Sequence, residues 1–102
     1  MTWVGDITYR ETTTGFEYLT TVIDLYSYRV VGWAFSSTLE TAIVMQALDM
    51  AVRQRQPPPE LIFHSDCDCQ YTSQLFRDRL RLTEIRQSMS KKTRALDYLS
   101  GN

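Results

Sequence analysis

A chain of 102 residues, 43% hydrophobic and 23% charged, fits one compact domain and excludes two. Four glycines and three prolines exclude a fibrous or low-complexity chain, and no apolar run approaches the roughly 20 residues of a membrane helix. Net charge is −1 but unevenly spread: residues 1–70 carry four arginines against nine acids, a net of −5, and residues 71–102 carry seven cations against three acids, a net of +4. An acidic body with a basic C-terminal third suits a face turned to a polyanion; solvated helix faces give the same count.

The N-terminal residues lack the basic region of a signal peptide, and Cys67 and Cys69 stand too close for a disulfide framework. The chain therefore reads as soluble and cytoplasmic, without a membrane partner.

Trp3–Tyr9, rich in β-branched and aromatic types, predicts a first strand, closed by the polar turn Arg10–Gly15. Leu19, Thr21 and Ile23 alternate with Thr20 and Val22 in a second strand ending near Asp24. Arg29–Phe35 is a third, and the short turns predict an antiparallel meander. Ser37 and Glu40 have the spacing of a capping box, and Leu39, Ile43, Ala47, Met50 and Ala51 recur at helical period before Pro57-Pro58-Pro59 stops the helix. Leu61–Ser65 predicts a buried strand, Ser73 a cap for a helix bearing Phe76 and Leu80, and Glu84–Ser88 a last strand. The order β-β-β-α-β-α-β is that of an α/β mixed sheet with helices packed on it.

Two aspartates stand where chemistry often sits. Asp6 lies inside the first strand, and Asp66 follows the apolar strand at the end where α/β sheets expose ligands. If the two strands are neighbours, the carboxylates converge, and a hard divalent cation relieves their repulsion. An edge residue in water and a turn residue are the bland alternative. His64, Asp66, Cys67 and Cys69 form a dense ligand-type cluster, but zinc lacks a second separated pair. No Gly-x-Ser-x-Gly elbow and no Gly-rich phosphate loop appear. Trp3, Tyr18, Tyr26 and Trp33 read as sheet packing rather than base-stacking platforms.

Trp3-Val4-Gly5-Asp6-Ile7-Thr8-Tyr9, Val22-Ile23-Asp24-Leu25-Tyr26-Ser27, Val31-Gly32-Trp33-Ala34, His64-Ser65-Asp66, Gln70-Tyr71-Thr72-Ser73 and Gln87-Ser88-Met89-Ser90 follow one another in an order that resembles the integrase core of bacterial insertion-sequence transposases. The resemblance runs from Trp3 to about Asp97 and extends to the retroviral integrase core. It implies an RNase H-like fold, with two aspartates and a glutamate that hold two Mg²⁺ or Mn²⁺ ions for phosphoryl transfer on DNA.

By that resemblance Asp6 and Asp66 match the first two acids, and Asp97 matches an aspartate outside the metal site. Asn102 falls at the place of the glutamate. An amide oxygen ligates a metal without the charge of a carboxylate. Asp68 replaces a usual glycine, Tyr28 a usual arginine, and Lys92-Thr93-Arg94 a Lys-Gly-Asn. Lys91, Lys92 and Arg94 are implied contacts to DNA phosphate.

The expectation is one core domain over residues 1–102, truncated before or at the third acid, without the family's helix-turn-helix region. It acts on transposon ends and target DNA, dimerises through the core, and is weak or inactive in strand transfer. The alternative is a non-catalytic DNA-binding or oligomerisation remnant of a transposase.

Overall fold

The computed structural model describes residues 1–66 and 69–89. Three strands open the chain: β1 (Thr2–Thr12), β2 (Gly15–Asp24) and β3 (Arg29–Ser36). Helix α1 (Thr41–Arg55), strand β4 (Ile62–Ser65), a short α2 (Cys69–Thr72), α3 (Gln74–Leu82) and strand β5 (Arg86–Met89) follow. The sheet order is β3-β2-β1-β4-β5. The first three strands form the expected antiparallel meander, while β4 pairs parallel to β1 and β5 parallel to β4. The added element is α2, whose four residues are too few to show a helical period in sequence.

The core lies on one face of the sheet. Helix α1 buries Ile43, Val44, Ala47, Leu48 and Ala51, and α3 buries Phe76 and Leu80, against Trp3, Val22, Val31, Ala34 and Phe63. Each large side chain so buried contributes about 1.5–3 kcal/mol. Gly32 brings α1 onto the sheet: a Cβ there would overlap the carbonyl oxygen of Ala47 and stand 3.0 Å from the Ala51 Cβ. Arg79 ties α3 to α1 by donating to Asp49 at 2.5 Å. That hydrogen bond, and then the Asp49 charge, hold the guanidinium above its ordinary range, so it stays protonated throughout the neutral range. Both partners are more than one-third exposed, so the pair contributes only about 0.2–1 kcal/mol.

Two sequence expectations need correction. Ser37 and Glu40 do not make a capping box: Glu40 is itself the N-cap and makes no side-chain cap bond. The Ser36 hydroxyl instead accepts from the Thr38 amide (3.1 Å), closing a turn that delays the helix, and Leu39 is left exposed ahead of it. The Ser73 cap does form, accepting from the Phe76 amide at 3.3 Å. The aromatics divide as well. Trp3 is fully buried, whereas Tyr26 is 85% exposed in a turn and Trp33 is 48% exposed on the sheet face opposite the core. A bulge between Val22 and Ile23 lets Val31 and Gly32 both point inward, which resets the alternation and turns Trp33 and Phe35 outward.

Glu60 and Glu84 precede β4 and β5 with φ of 67° and 60°, and the Glu60 amide donates to the Glu84 carbonyl at 2.9 Å. No helix is long and apolar enough to cross a membrane.

Substituting Gly32→Val is expected to lower the urea midpoint by the equivalent of about 1–3 kcal/mol, the range for overpacked cores. Equilibrium unfolding followed by far-UV circular dichroism checks it, and an unchanged midpoint would remove Gly32 as the seat of the α1–β3 contact.

Candidate metal centre

β1 and β4 are level along three consecutive pairs: Thr2 with Ile62, Trp3 with Phe63, Val4 with His64. The pairing ends there, with Asp6 two residues further along β1 and Asp66 two residues further along the chain, just past the end of β4. Side chains alternate along a strand, so Asp6 stands on the face of Val4 and, across the β1–β4 pair, of His64. Neighbouring strands lie about 4.8 Å apart. Asp6 is exposed and Asp66 half-buried at the end of β4.

The opposite face is rigid beneath them. Phe63, Tyr71 and Phe76 form a closed ring cluster with centroids 5.3–6.0 Å apart. Gly5 leaves the room it needs: a Cβ there would fall within the Phe63 ring and stand 3.1 Å from Tyr71 Cε1. Buried Ser65 donates its hydroxyl to the Asp66 carbonyl at 2.9 Å, fixing the turn out of β4. Gln87 on β5 donates to the Tyr71 carbonyl at 2.8 Å, so the sheet edge also holds α2.

Like charges one strand apart repel, and the remedy that keeps both ionised is a divalent cation. The donors are carboxylate oxygens, which suit Mg²⁺ or Mn²⁺ rather than a thiolate-seeking metal. Among the described residues no group of three or more His, Cys, Asp or Glu is placed to hold an ion together.

His64 lies two residues before Asp66. Its Nδ1 shares a 3.0 Å hydrogen bond with the Ser88 hydroxyl, so β5 is clipped to the strand that carries Asp66. Cys67, Asp68, Lys91, Lys92, Arg94, Asp97 and Asn102 lie outside the described residues. Sequence reading passed over Thr21 and took Trp33 for sheet packing: Asp6 pairs with Thr21, and Thr21 with Trp33, so one row crosses the sheet from Asp6 to Trp33. Strand alternation marks Thr21 as sharing a face, but register alone places it opposite Asp6.

The family model of the integrase core domain matches residues 1–95. The chain is 41% identical over 90 residues to the transposase InsF for insertion sequence IS3A of Escherichia coli K12, covering 88% of this chain and 31% of that protein. It is 38% identical over 95 residues to the transposase for insertion sequence element IS904 of Lactococcus lactis, covering 93% of this chain and 38% of that protein. The chain thus spans about a third of the length of these curated relatives.

Among solved structures it is similar to the HTLV-2 integrase catalytic core domain in complex with magnesium in its dimeric form. That likeness has a TM-score of 0.75 at 20% identity and covers 89% of this chain and 60% of that one. A chain of the simian T-cell lymphotropic virus intasome gives a TM-score of 0.79 at 19% identity, covering 98% of this chain and 37% of that one. The mixed five-stranded sheet with its helices is RNase H-like.

Ser88→Ala is expected to shift the ¹⁵N resonance of His64 Nδ1 and to cost about 0.5–1.5 kcal/mol, leaving far-UV circular dichroism unchanged. An unmoved resonance would show that the two side chains do not meet in solution.

Proposed function

The chain belongs to the integrase core domain family, and on that premise we propose that it is the DNA-acting core of an insertion-sequence transposase. Asp6 and Asp66 hold Mg²⁺ or Mn²⁺ for phosphoryl transfer at the DNA backbone. What supports this reading is the β1–β4 pairing, whose last pair, Val4 with His64, stands two residues before each aspartate.

This chain's own groups do three things in the reading. The carboxylates of Asp6 and Asp66 supply two hard, charged ligands from adjacent strands. The ring cluster under Gly5 keeps the strands from shifting, which matters because misplacement by about 1 Å costs roughly 100-fold in rate. The face that carries Asp6 is not covered by any helix among the described residues, so a duplex reaches the carboxylates from that side. When bound, ions of this class stabilise charge on transferring phosphoryl oxygens and activate the attacking hydroxyl.

Lys91, Lys92 and Arg94 contact DNA phosphates, and the core associates as a dimer. Asn102 takes the place of the third acid, so cleavage and strand transfer by this chain alone are weak or absent. That same neutral residue favours a second reading, a DNA-binding or oligomerisation remnant without chemistry.

Titration calorimetry with Mn²⁺ separates the two. Removing even a supporting partner of a metal ligand costs about 10–100-fold in affinity. The expected result is Mn²⁺ binding by the wild-type chain that weakens about tenfold or more in Asp6→Asn and in Asp66→Asn. Absence of binding in the wild type supports the remnant.

A further inference from the structure

Along the outer edge of the sheet, the last turns of α1 and strand β3 enclose an open groove of about 500 Å³. Its walls include Arg29, Trp33, Gln54 and Arg55. Neither arginine forms an ion pair among the described residues, whereas Arg10, Arg79, Arg81 and Arg86 each face an acid within 4 Å. Arg29 is level with Asp24, but that carboxylate is buried and accepts from the Tyr26 amide at 2.8 Å. The C-terminal end of α1 contributes about half a negative charge. Three arginines, Arg29, Arg53 and Arg55, more than offset it. The groove is thus a cationic patch on residues 1–70, whose net charge is −5.

We infer that this groove takes a DNA sugar–phosphate strand, with Arg29 and Arg55 on successive phosphates and the Trp33 indole against the sugar between them. The inference rests on the transposase-core reading above. Trp33 ends the row that begins at Asp6 and stands two strand spacings, roughly 10 Å, from it. One DNA strand therefore reaches both the carboxylates and the groove. The occupant is not a second copy, because a two-fold contact would set this cationic patch against itself. Such contacts position the duplex and read no sequence.

The test is fluorescence anisotropy of a short labelled duplex of arbitrary sequence, titrated with the full 102-residue chain over a range of salt. Each phosphate neutralised contributes about 0.9 to the slope of log affinity against log salt. The double variant Arg29→Gln/Arg55→Gln is therefore expected to lose about 1.8 from that slope. Arg29→Lys/Arg55→Lys, which keeps both charges, retains it. Arg10→Gln, which removes a cation already paired with Glu17, leaves the slope unchanged.

Because Trp3 is buried and Trp33 is exposed, DNA quenches tryptophan emission in the wild type but not in Trp33→Phe. An unmoved slope in the glutamine variant, failure of the wild type to bind the duplex, or a changed elution volume of the glutamine variant overturns the inference. Mn²⁺ titration of the same variant keeps the two proposals apart. Metal binding with an unmoved slope removes the groove alone, and a reduced slope without metal binding removes the metal reading alone.

Discussion

Two strands that run the same way keep equal residues level, and between β1 and β4 that constraint governs everything built above it. Val4 with His64 is the last pair, and Asp6 and Asp66 each follow it by two residues. Slip by one residue would turn one carboxylate into the core and the other to solvent. The structure blocks that slip from beneath. Phe63 occupies the space a side chain at Gly5 would need, and Tyr71 and Phe76 close around its ring. The absence of one methyl group thus lets an aromatic core set the geometry of a charged surface.

The remaining elements serve that pairing at a distance. α1 approaches β3 closely through Gly32, packing the helix onto the meander away from β4. On the far side, β5 is fastened to β4 through Ser88 and His64 and to α2 through Gln87. The carboxylate end of the sheet is therefore held from both flanks, while the face above it stays open among the described residues. An open face over a rigid floor is what a bulky, flexible polyanion requires.

Much of this was legible in the residues. Asp6 within a β-prone run and Asp66 after an apolar one gave both strand positions, and the three prolines ended α1 where expected. Adjacency of the two strands was conditional in sequence, because pairing partners are a property of topology and not of any local pattern. Ser37 and Glu40 misled because Ser36 and Thr38 bond to each other in a local turn and the helix starts only after Glu40, three residues later than a Ser37 cap requires. Trp33 misled for a different reason. Its direction depends on a bulge opposite Val31, and an extra residue in one strand inverts the alternation downstream of it.

Glu60 and Glu84 have a further significance. Each holds a left-handed backbone at the entry of a parallel strand, a conformation that costs a side-chain-bearing residue about 1–2 kcal/mol. Both sit at the opposite pole of the sheet from Asp6 and Asp66. The left-handed entries and the two aspartates thus occupy separate ends of this domain. Glycine at either entry would relieve that backbone strain at the cost of a more flexible unfolded chain, without touching either aspartate.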